Sequence, residues 1–407
     1  MLIFGRRLLA IVILLLLIFS SFNIVFAKSG NENTSLLNDK INDFVDNISE
    51  DIKMKFIMRL GKFPSVSACV IKNNSIVWYE GYGKAHILPN KEPTADTIYP
   101  VGSISKTVTA TAAMQLCEKG YFDLDDDINN YLDFNVRNPD YPDVPITFRM
   151  LLSHHSSISG IHELNYWYLT YLFFLHKRDY PYPLIEQLIT PDGKFYKNLM
   201  WKDFPPGTKK GYSNFNYILL EEIIEEITGQ HFNEYCKEHI FEPLEMYNTS
   251  FYYSELRDKE LAGAYHNLGN FYFPIPYLDI GYSYGGLKTS VEDLSHYLLA
   301  YLNEGEYKGY RLLNESTINT MLTIQYNDDN NYSRYCLGWQ YFGGFTGSST
   351  FGHTGHAPGG AAGIFMNTTN DYAQIFFINR YLTFKGIMEL FSWFMLITFL
   401  NDKIKEY

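Results

Sequence analysis

Cysteine is scarce, with four in 407 residues, and no two of them form a C-x-x-C pair. That excludes a Cys-rich zinc module and a dithiol redox motif. Positive charge is also short: 33 Lys and Arg face 45 Asp and Glu, a formal charge of −12. No basic patch with interleaved aromatics occurs, which argues against nucleic acid as a partner. No internal repeat and no low-complexity linker divides the chain. Away from the N-terminus no apolar run spans a bilayer comfortably. The last one, Ile387 to about Leu400, is too short and is interrupted near its start by Glu389. It reads as a helix covering a sheet.

The N-terminus carries an address. Arg6 and Arg7 precede an apolar run from Leu8 to Phe19, and Val25-Phe26-Ala27 ends in a small residue. This is the pattern of a signal peptide over residues 1–27, cleaved after Ala27, with an uncleaved membrane anchor as the alternative. The expectation is a secreted, extracytoplasmic protein that meets a membrane only if that segment is retained. In such a compartment one or two disulfides could form among Cys69, Cys117, Cys236 and Cys336. Cys69 and Cys117 sit in apolar surroundings and read as buried thiols. Glycosylation sequons occur at Asn33, Asn47, Asn73, Asn248, Asn314, Asn331 and Asn367, of which Asn73 and Asn331 are the best placed, in loops.

Periodicity organises the rest. A helical pattern runs from Ser35 to Leu60 within an N-terminal segment, residues 28–62. Ser65 to Ile71 and Ile76 to Tyr82 read as strands joined at Asn73-Asn74, a hairpin. Residues 123–286 are mostly helical and loop-rich. Asn165 to Leu175 is crowded with aromatics and reads as core, with a lipid or substrate mouth as the alternative. A helix capped by Ser290 runs to Leu302, and strands return at Cys336 to Phe342, Ala361 to Asn367 and Tyr372 to Asn379. The fold expected is α+β, an antiparallel sheet flanked by helices (residues 63–122 and 287–407) with an inserted, mostly helical domain (123–286). The site then falls at the seam, where pockets form.

Three stretches bear chemistry. In the first, Ser103 opens a helix running to about Lys119, and Lys106 lies three residues on, along the same face. Free N–H groups at a helix start favour a developing oxyanion. A Lys kept neutral can take the hydroxyl proton. S-x-x-K alone is weak, since about one match is expected by chance in a chain this long. The second stretch is Gly211-Tyr212-Ser213-Asn214, after Pro205-Pro206-Gly207. Tyr212 can project its phenol into a cleft and shuttle the Ser103 proton, a nearby cation favouring phenolate. Asn214 offers amide groups to a substrate. The third is Gly352-His353-Thr354-Gly355-His356, just before a strand. Small residues there let a substrate approach the backbone, and the His356 N–H can join that of Ser103 in an oxyanion hole. A metal pair of His353 and His356, joined by His154 and His155, is the weaker alternative, because no acidic ligand accompanies it.

S-x-x-K, Y-x-N and H-T-G in this order resemble the serine β-lactamase and penicillin-binding protein superfamily, in particular its class C-like β-lactamase-related branch. Gly81-Tyr82-Gly83, Leu151-Leu152-Ser153-His154, Phe241-Glu242-Pro243-Leu244 and Gly285-Gly286-Leu287 extend the likeness over about Pro64 to Arg380. The resemblance implies a serine hydrolase in which Ser103 forms an acyl-enzyme while Lys106 and Tyr212 share the acid–base work. Asn214 orients substrate, and His353, Thr354, Gly355 and His356 bind it. No metal and no cofactor are implied. The family's third motif usually begins with Lys, whereas His353 is mostly neutral at pH 7. Strong β-lactam hydrolysis is therefore not expected, and esters or small amides and peptides are. His154-His155-Ser156-Ser157 also departs from the usual H-T-S-G. Two alternatives stand beside this reading. One is a non-catalytic binding protein on the same fold. The other is an α/β-hydrolase using Ser283 within Gly281-Tyr282-Ser283-Tyr284-Gly285, although Pro274 and Pro276 suit a buried strand before that elbow poorly.

Overall fold

The computed structural model describes residues 49–159, 182–269, 271–277, 282–326, 334–343, 349–382 and 386–407. The signal-like segment, the aromatic run at 165–175 and the sequons at Asn33, Asn47 and Asn331 lie outside the described residues, as does the first part of the helix expected from Ser35.

Helix α1 (Glu50–Gly61) opens with Glu50 and Asp51 and stops where Lys62 turns left-handed. Strands β1 (Ser65–Lys72) and β2 (Ser75–Gly83) follow, then the short β3 (Tyr99–Pro100). A single 3-10 turn, Gly102–Ile104, leads into α2 (Ser105–Glu118). The middle of the chain supplies α3 (Phe148–Leu152), α4 (Tyr182–Ile189), α5 (Phe215–Thr228) and α6 (Phe232–Cys236), then a hairpin of β4 (Ala264–Leu268) and β5 (Phe271–Ile275). Next come β6 (Lys288–Thr289), α7 (Val291–Leu302), β7 (Glu306–Tyr307), β8 (Tyr310–Arg311) and α8 (Glu315–Met321). Strands β9 (Arg334–Tyr335), β10 (Gln340–Tyr341), β11 (Thr350–Ala357), β12 (Gly360–Asn367) and β13 (Tyr372–Ile378) precede the terminal α9 (Ile387–Glu406).

The chain divides into two units, one holding α1 and α9, the other running Pro64–Leu382. In the first, Lys403 of α9 is buried and pairs with Glu50 and Glu406, which carries the helix past Leu400 to Glu406.

The second unit is built on a seven-stranded antiparallel sheet of order β2-β1-β13-β12-β11-β10-β9. Strands β1, β12 and β13 are buried almost throughout, as continuous apolar runs in central strands must be, while β2 at the edge is half-exposed. Asn73 and Asn74 both take positive φ (50° and 56°), the two-residue turn that matches strand twist. Helix α7 packs on β1, β12 and β13, its first N–H groups capped by the Ser290 hydroxyl. The strand expected over Cys336–Phe342 is reduced to β10, because Cys336–Trp339 is a turn that folds β10 back onto β9. The four cysteines are separate thiols. Cys69, Cys236 and Cys336 are buried, and burial pushes the last up to about 12.

Candidate active site

Helix α2 is buried on every side from Ser105 to Leu116, which explains its Ala and Thr content. Small side chains let neighbours approach, and the buried hydroxyls find partners: Thr107 donates to Ile104 O, and Thr109 to Ser283 O at 2.6 Å. The turn before it is tied down at both ends. Val101 N–H donates to Leu287 O at 3.1 Å. Ser105 Oγ donates to Gly102 O at 2.6 Å and accepts from Leu287 N–H at 3.0 Å. Ser103, half-buried, is therefore presented on a fixed backbone.

Lys106 is fully buried one turn on, and its Nζ reaches Ser103 Oγ at 3.2 Å and Tyr284 O at 2.6 Å. The rings of Tyr212, Tyr217 and Tyr284 lie 5.1, 5.5 and 5.4 Å from Nζ. Its two polar partners, a hydroxyl and a carbonyl, carry no negative charge. Burial without an anion holds the amine well below the usual lysine range, which favours its neutral form. Nζ donates to Tyr284 O and to Ser103 Oγ, and in the neutral form its lone pair can instead turn to the Ser103 hydroxyl.

Tyr212 completes the contact, its Oη donating to Ser103 Oγ at 3.0 Å. The expectation of phenolate is corrected by this setting. Burial pushes the phenol far above its ordinary value, by more than the hydrogen bond with Ser103 lowers it. Tyr212 rests as a hydrogen-bond donor. Residues distant in sequence thus place an amine, a hydroxyl and a phenol in one contact.

The His353 stretch is not the approach to a strand but part of one, β11, which begins at Thr350. It pairs with β12 along its length but with β10 only at Phe351 and Gly352. Its other edge, from His353 to Ala357, has no strand partner among the described residues and faces the nucleophile turn. The approach there is backbone to backbone. A Cβ on Gly102 would lie 2.5–2.6 Å from the His356 main chain, and one on Gly355 would lie 3.2 Å from Ser103 N. His353 is buried, its Nδ1 donating to Thr354 O at 2.7 Å. Burial pushes His353 down to about 3 and His356 down to about 4, so both are neutral at pH 7. Asn214 starts α5 with its carbonyl, which accepts from Tyr217 N–H and Ile218 N–H. Its side-chain Oδ1 is buried with no partner. Among the described residues no group of three or more His, Cys, Asp or Glu is placed to hold a metal ion.

The beta-lactamase family model matches residues 53–386. The chain belongs to the beta-lactamase family. Among curated relatives it is similar to Protein flp of Staphylococcus aureus (strain MW2), 25% identical over 329 residues that make 79% of this chain and 61% of that one. Beta-lactamase-like protein 2 of Dictyostelium discoideum is 28% identical over 265 residues, 64% of this chain and 45% of that one. The chain therefore spans only about half of these relatives' length. Among solved structures, the octameric penicillin-binding protein homologue from Pyrococcus abyssi superposes with a TM-score of 0.71 at 26% identity, over 87% of this chain and 77% of that one. The D-stereospecific amidohydrolase from Streptomyces sp. gives 0.65 at 24% identity, over 82% and 95%. They share the mixed helix-and-sheet fold with its antiparallel sheet.

Within the family the loop that departs from H-T-S-G keeps a glycine-like backbone. Ser157 takes φ 61° where the family has Gly, and its hydroxyl accepts from Asn138 Nδ2 at 2.9 Å. The same loop holds the Tyr212 segment, a role the sequence reading missed. His155 O accepts Gly207 N–H and His154 O accepts Gly211 N–H, both at 2.8 Å. The buried His154 ring lies 4.3 Å from that of Tyr212, and its Nδ1 accepts Ser213 N–H at 3.2 Å. Burial holds that ring well below its ordinary range, so it stays neutral and able to accept. The only sequence signal was the adjoining Leu-Leu-Ser-His landmark. Ser283, the rival nucleophile, is fully buried in the helical turn Tyr282–Gly286.

Proposed function

We propose that the protein is a serine hydrolase that forms an acyl-enzyme on Ser103 and acts on esters or small amides and peptides. The observation that carries this reading is the meeting of Lys106 Nζ and Tyr212 Oη on one Ser103 oxygen, at 3.2 and 3.0 Å. The neutral amine takes the Ser103 proton as Oγ attacks the acyl carbon. The carbonyl oxygen becomes an oxyanion received by the Ser103 and His356 N–H groups. Tyr212 passes a proton to the leaving oxygen or nitrogen and is reprotonated from Lys106. Water then attacks the acyl-enzyme by the same route in reverse, releasing the acid. Asn214 and the open edge of β11, with His353, Thr354 and Gly355, hold the substrate. An amide-cleaving structural neighbour is in keeping with this range. We extend the proposal to export by the N-terminal segment, which fractionation and N-terminal sequencing test.

A neutral His353 offers no fixed charge to a substrate carboxylate, so β-lactams are expected to be poorer substrates than short-chain esters. The test is kcat/KM of the full chain for p-nitrophenyl esters and nitrocefin. Ester turnover should exceed nitrocefin turnover and fall by several orders of magnitude in Ser103→Ala and Lys106→Ala. Equal ester rates in Ser103→Ala and wild type would overturn the reading, and a higher rate constant for nitrocefin would overturn the preference.

A further inference from the structure

Outside the main sheet, β4 and β5 form a two-stranded hairpin of their own. Its base is fixed to the body. Tyr265 N–H donates to Asn379 O and Tyr381 N–H to Tyr265 O, both at 3.2 Å, and Ile87 N–H donates to the Tyr265 hydroxyl at 2.9 Å. A Cβ on Gly359, in the turn between β11 and β12, would lie 2.3 Å from Ala264 Cβ. The hairpin therefore rises from the end of the open β11 edge. Alternate residues of paired strands share a face. On one face His266 stands opposite Phe273, and Leu268 opposite Phe271. Leu268 is 71% exposed, Phe271 74% and Phe273 51%. From Leu261 to Leu278 the chain holds no Lys, Arg, Asp or Glu.

We propose that this hairpin docks on a lipid bilayer of neutral headgroups, its Leu268, Phe271 and Phe273 side chains entering the edge of the acyl layer. Area favours a bilayer over a protein. At roughly 200 Å² for a whole large side chain the three expose about 400 Å². That is half of the ~800 Å² each partner gives to a stable protein complex, whereas membrane binding simply scales with the apolar area buried. The free edge excludes another sheet. Pro274 lies within β5 and Pro276 just after it, and a proline has no N–H to give an added strand. Charge selects the lipid. The uncharged stretch matches an uncharged layer, and the formal charge of −12 opposes an anionic surface. Reach is sufficient as well. Ala264 to Leu268 is about 13 Å of strand, and surface-bound apolar faces enter a bilayer by roughly 5–10 Å. Tyr272, between the two phenylalanines, carries an amphipathic ring of the kind that sits at headgroup level. Docked in this way, the hairpin brings the open edge of β11 to the lipid surface. That consequence rests on the hydrolase reading above, and the docking does not.

The test puts an environment-sensitive NBD fluorophore on the hairpin through Asn270→Cys, and on Tyr121→Cys beyond the far end of α2 as the control. Both are made in the full chain with Cys117→Ser, the other three cysteines being buried. With phosphatidylcholine vesicles the probe at 270 should shift to the blue and lose emission when the acyl chains are brominated. The probe at 121 should do neither. Leu268→Ser/Phe271→Ser/Phe273→Ser should lose both responses while keeping the apolar run Leu8 to Phe19, so binding through that run alone is told apart. Ser103→Ala should keep both, since no turnover is involved, and the hydrolase reading stands or falls separately. A probe at 270 that stays in a water-like environment at every lipid concentration overturns the inference. So does a response that survives the triple substitution. A blue shift without lipid that grows with protein concentration, with a doubled mass by light scattering, overturns it in favour of a second copy of the chain. If the triple variant fails to fold, loss of the response in Phe271→Ser alone decides.

Discussion

Replacing Gly355 by Ala tests the packing of β11 on the nucleophile turn. The added Cβ would overlap the Val101 carbonyl, 2.9 Å from its carbon, and would sit 3.2 Å from Ser103 N. Comfortable contact between carbons begins near about 3.5 Å. Both partners are main chain, Val101 being tied to Leu287 and Gly355 standing opposite Ala362 in β12. No side chain can swing aside, so strand and turn must part by about an ångström. Such a misplacement of reacting groups costs roughly 10²-fold in rate. Overpacking of this kind costs roughly 1–3 kcal/mol of stability, a loss of a few degrees in melting temperature for a unit of this size. Gly363→Ala is the control, since its Cβ would meet the Phe376 and Phe365 rings. It should lower stability comparably and spare the rate. Ester kcat/KM with calorimetry on both variants checks this. Wild-type kcat/KM in Gly355→Ala would refute the packing argument.

Two further outcomes follow from buried groups. His154→Phe keeps the ring but removes the acceptor for Ser213 N–H, so Tyr212 loses its support. A fall in kcat of roughly 10–100-fold, with little change in KM, is expected from steady-state kinetics by the same misplacement argument, and an unchanged kcat would contradict it. Glu222, buried on α5, is pushed up to about 9 by burial and by the neighbouring carboxylates Glu226 and Glu221. Its folded form holds a proton that the unfolded chain gives up above about pH 4.3. Stability from this residue is therefore whole below that value and is lost as pH rises toward 9, by up to roughly 1.4 kcal/mol per pH unit. Glu222→Gln should raise the urea midpoint at pH 8 and leave it nearly unchanged at pH 4. The opposite order would contradict the sign.

Much of the fold was legible because the strong signals are local. Two strand-like runs and the Asn73-Asn74 pair between them marked the first hairpin, and Ser290 with Asp293 marked the start of α7. The Cys336–Phe342 strand misled, since its apolar pattern suits a strand, but its first half is a turn with Gly338 at positive φ. The Ser103, Lys106 and Tyr212 positions were visible as residue types in spaced motifs. Their protonation states were not, because these depend on burial by residues far along the chain. The phenol of Tyr212 is shielded rather than charged for that reason. The supports of the site were equally hidden. His154 is one acceptor among many in the sequence, and only packing shows that it lies against a loop the chemistry depends on.

The most direct measurement is to incubate the full chain with a fluorophosphonate ester and map the modified peptide by mass spectrometry. A single adduct on Ser103, absent in Ser103→Ala and slow to form in Lys106→Ala, is the result expected. An adduct on Ser283, or ester turnover that persists with Ser103 unmodified, would contradict the account.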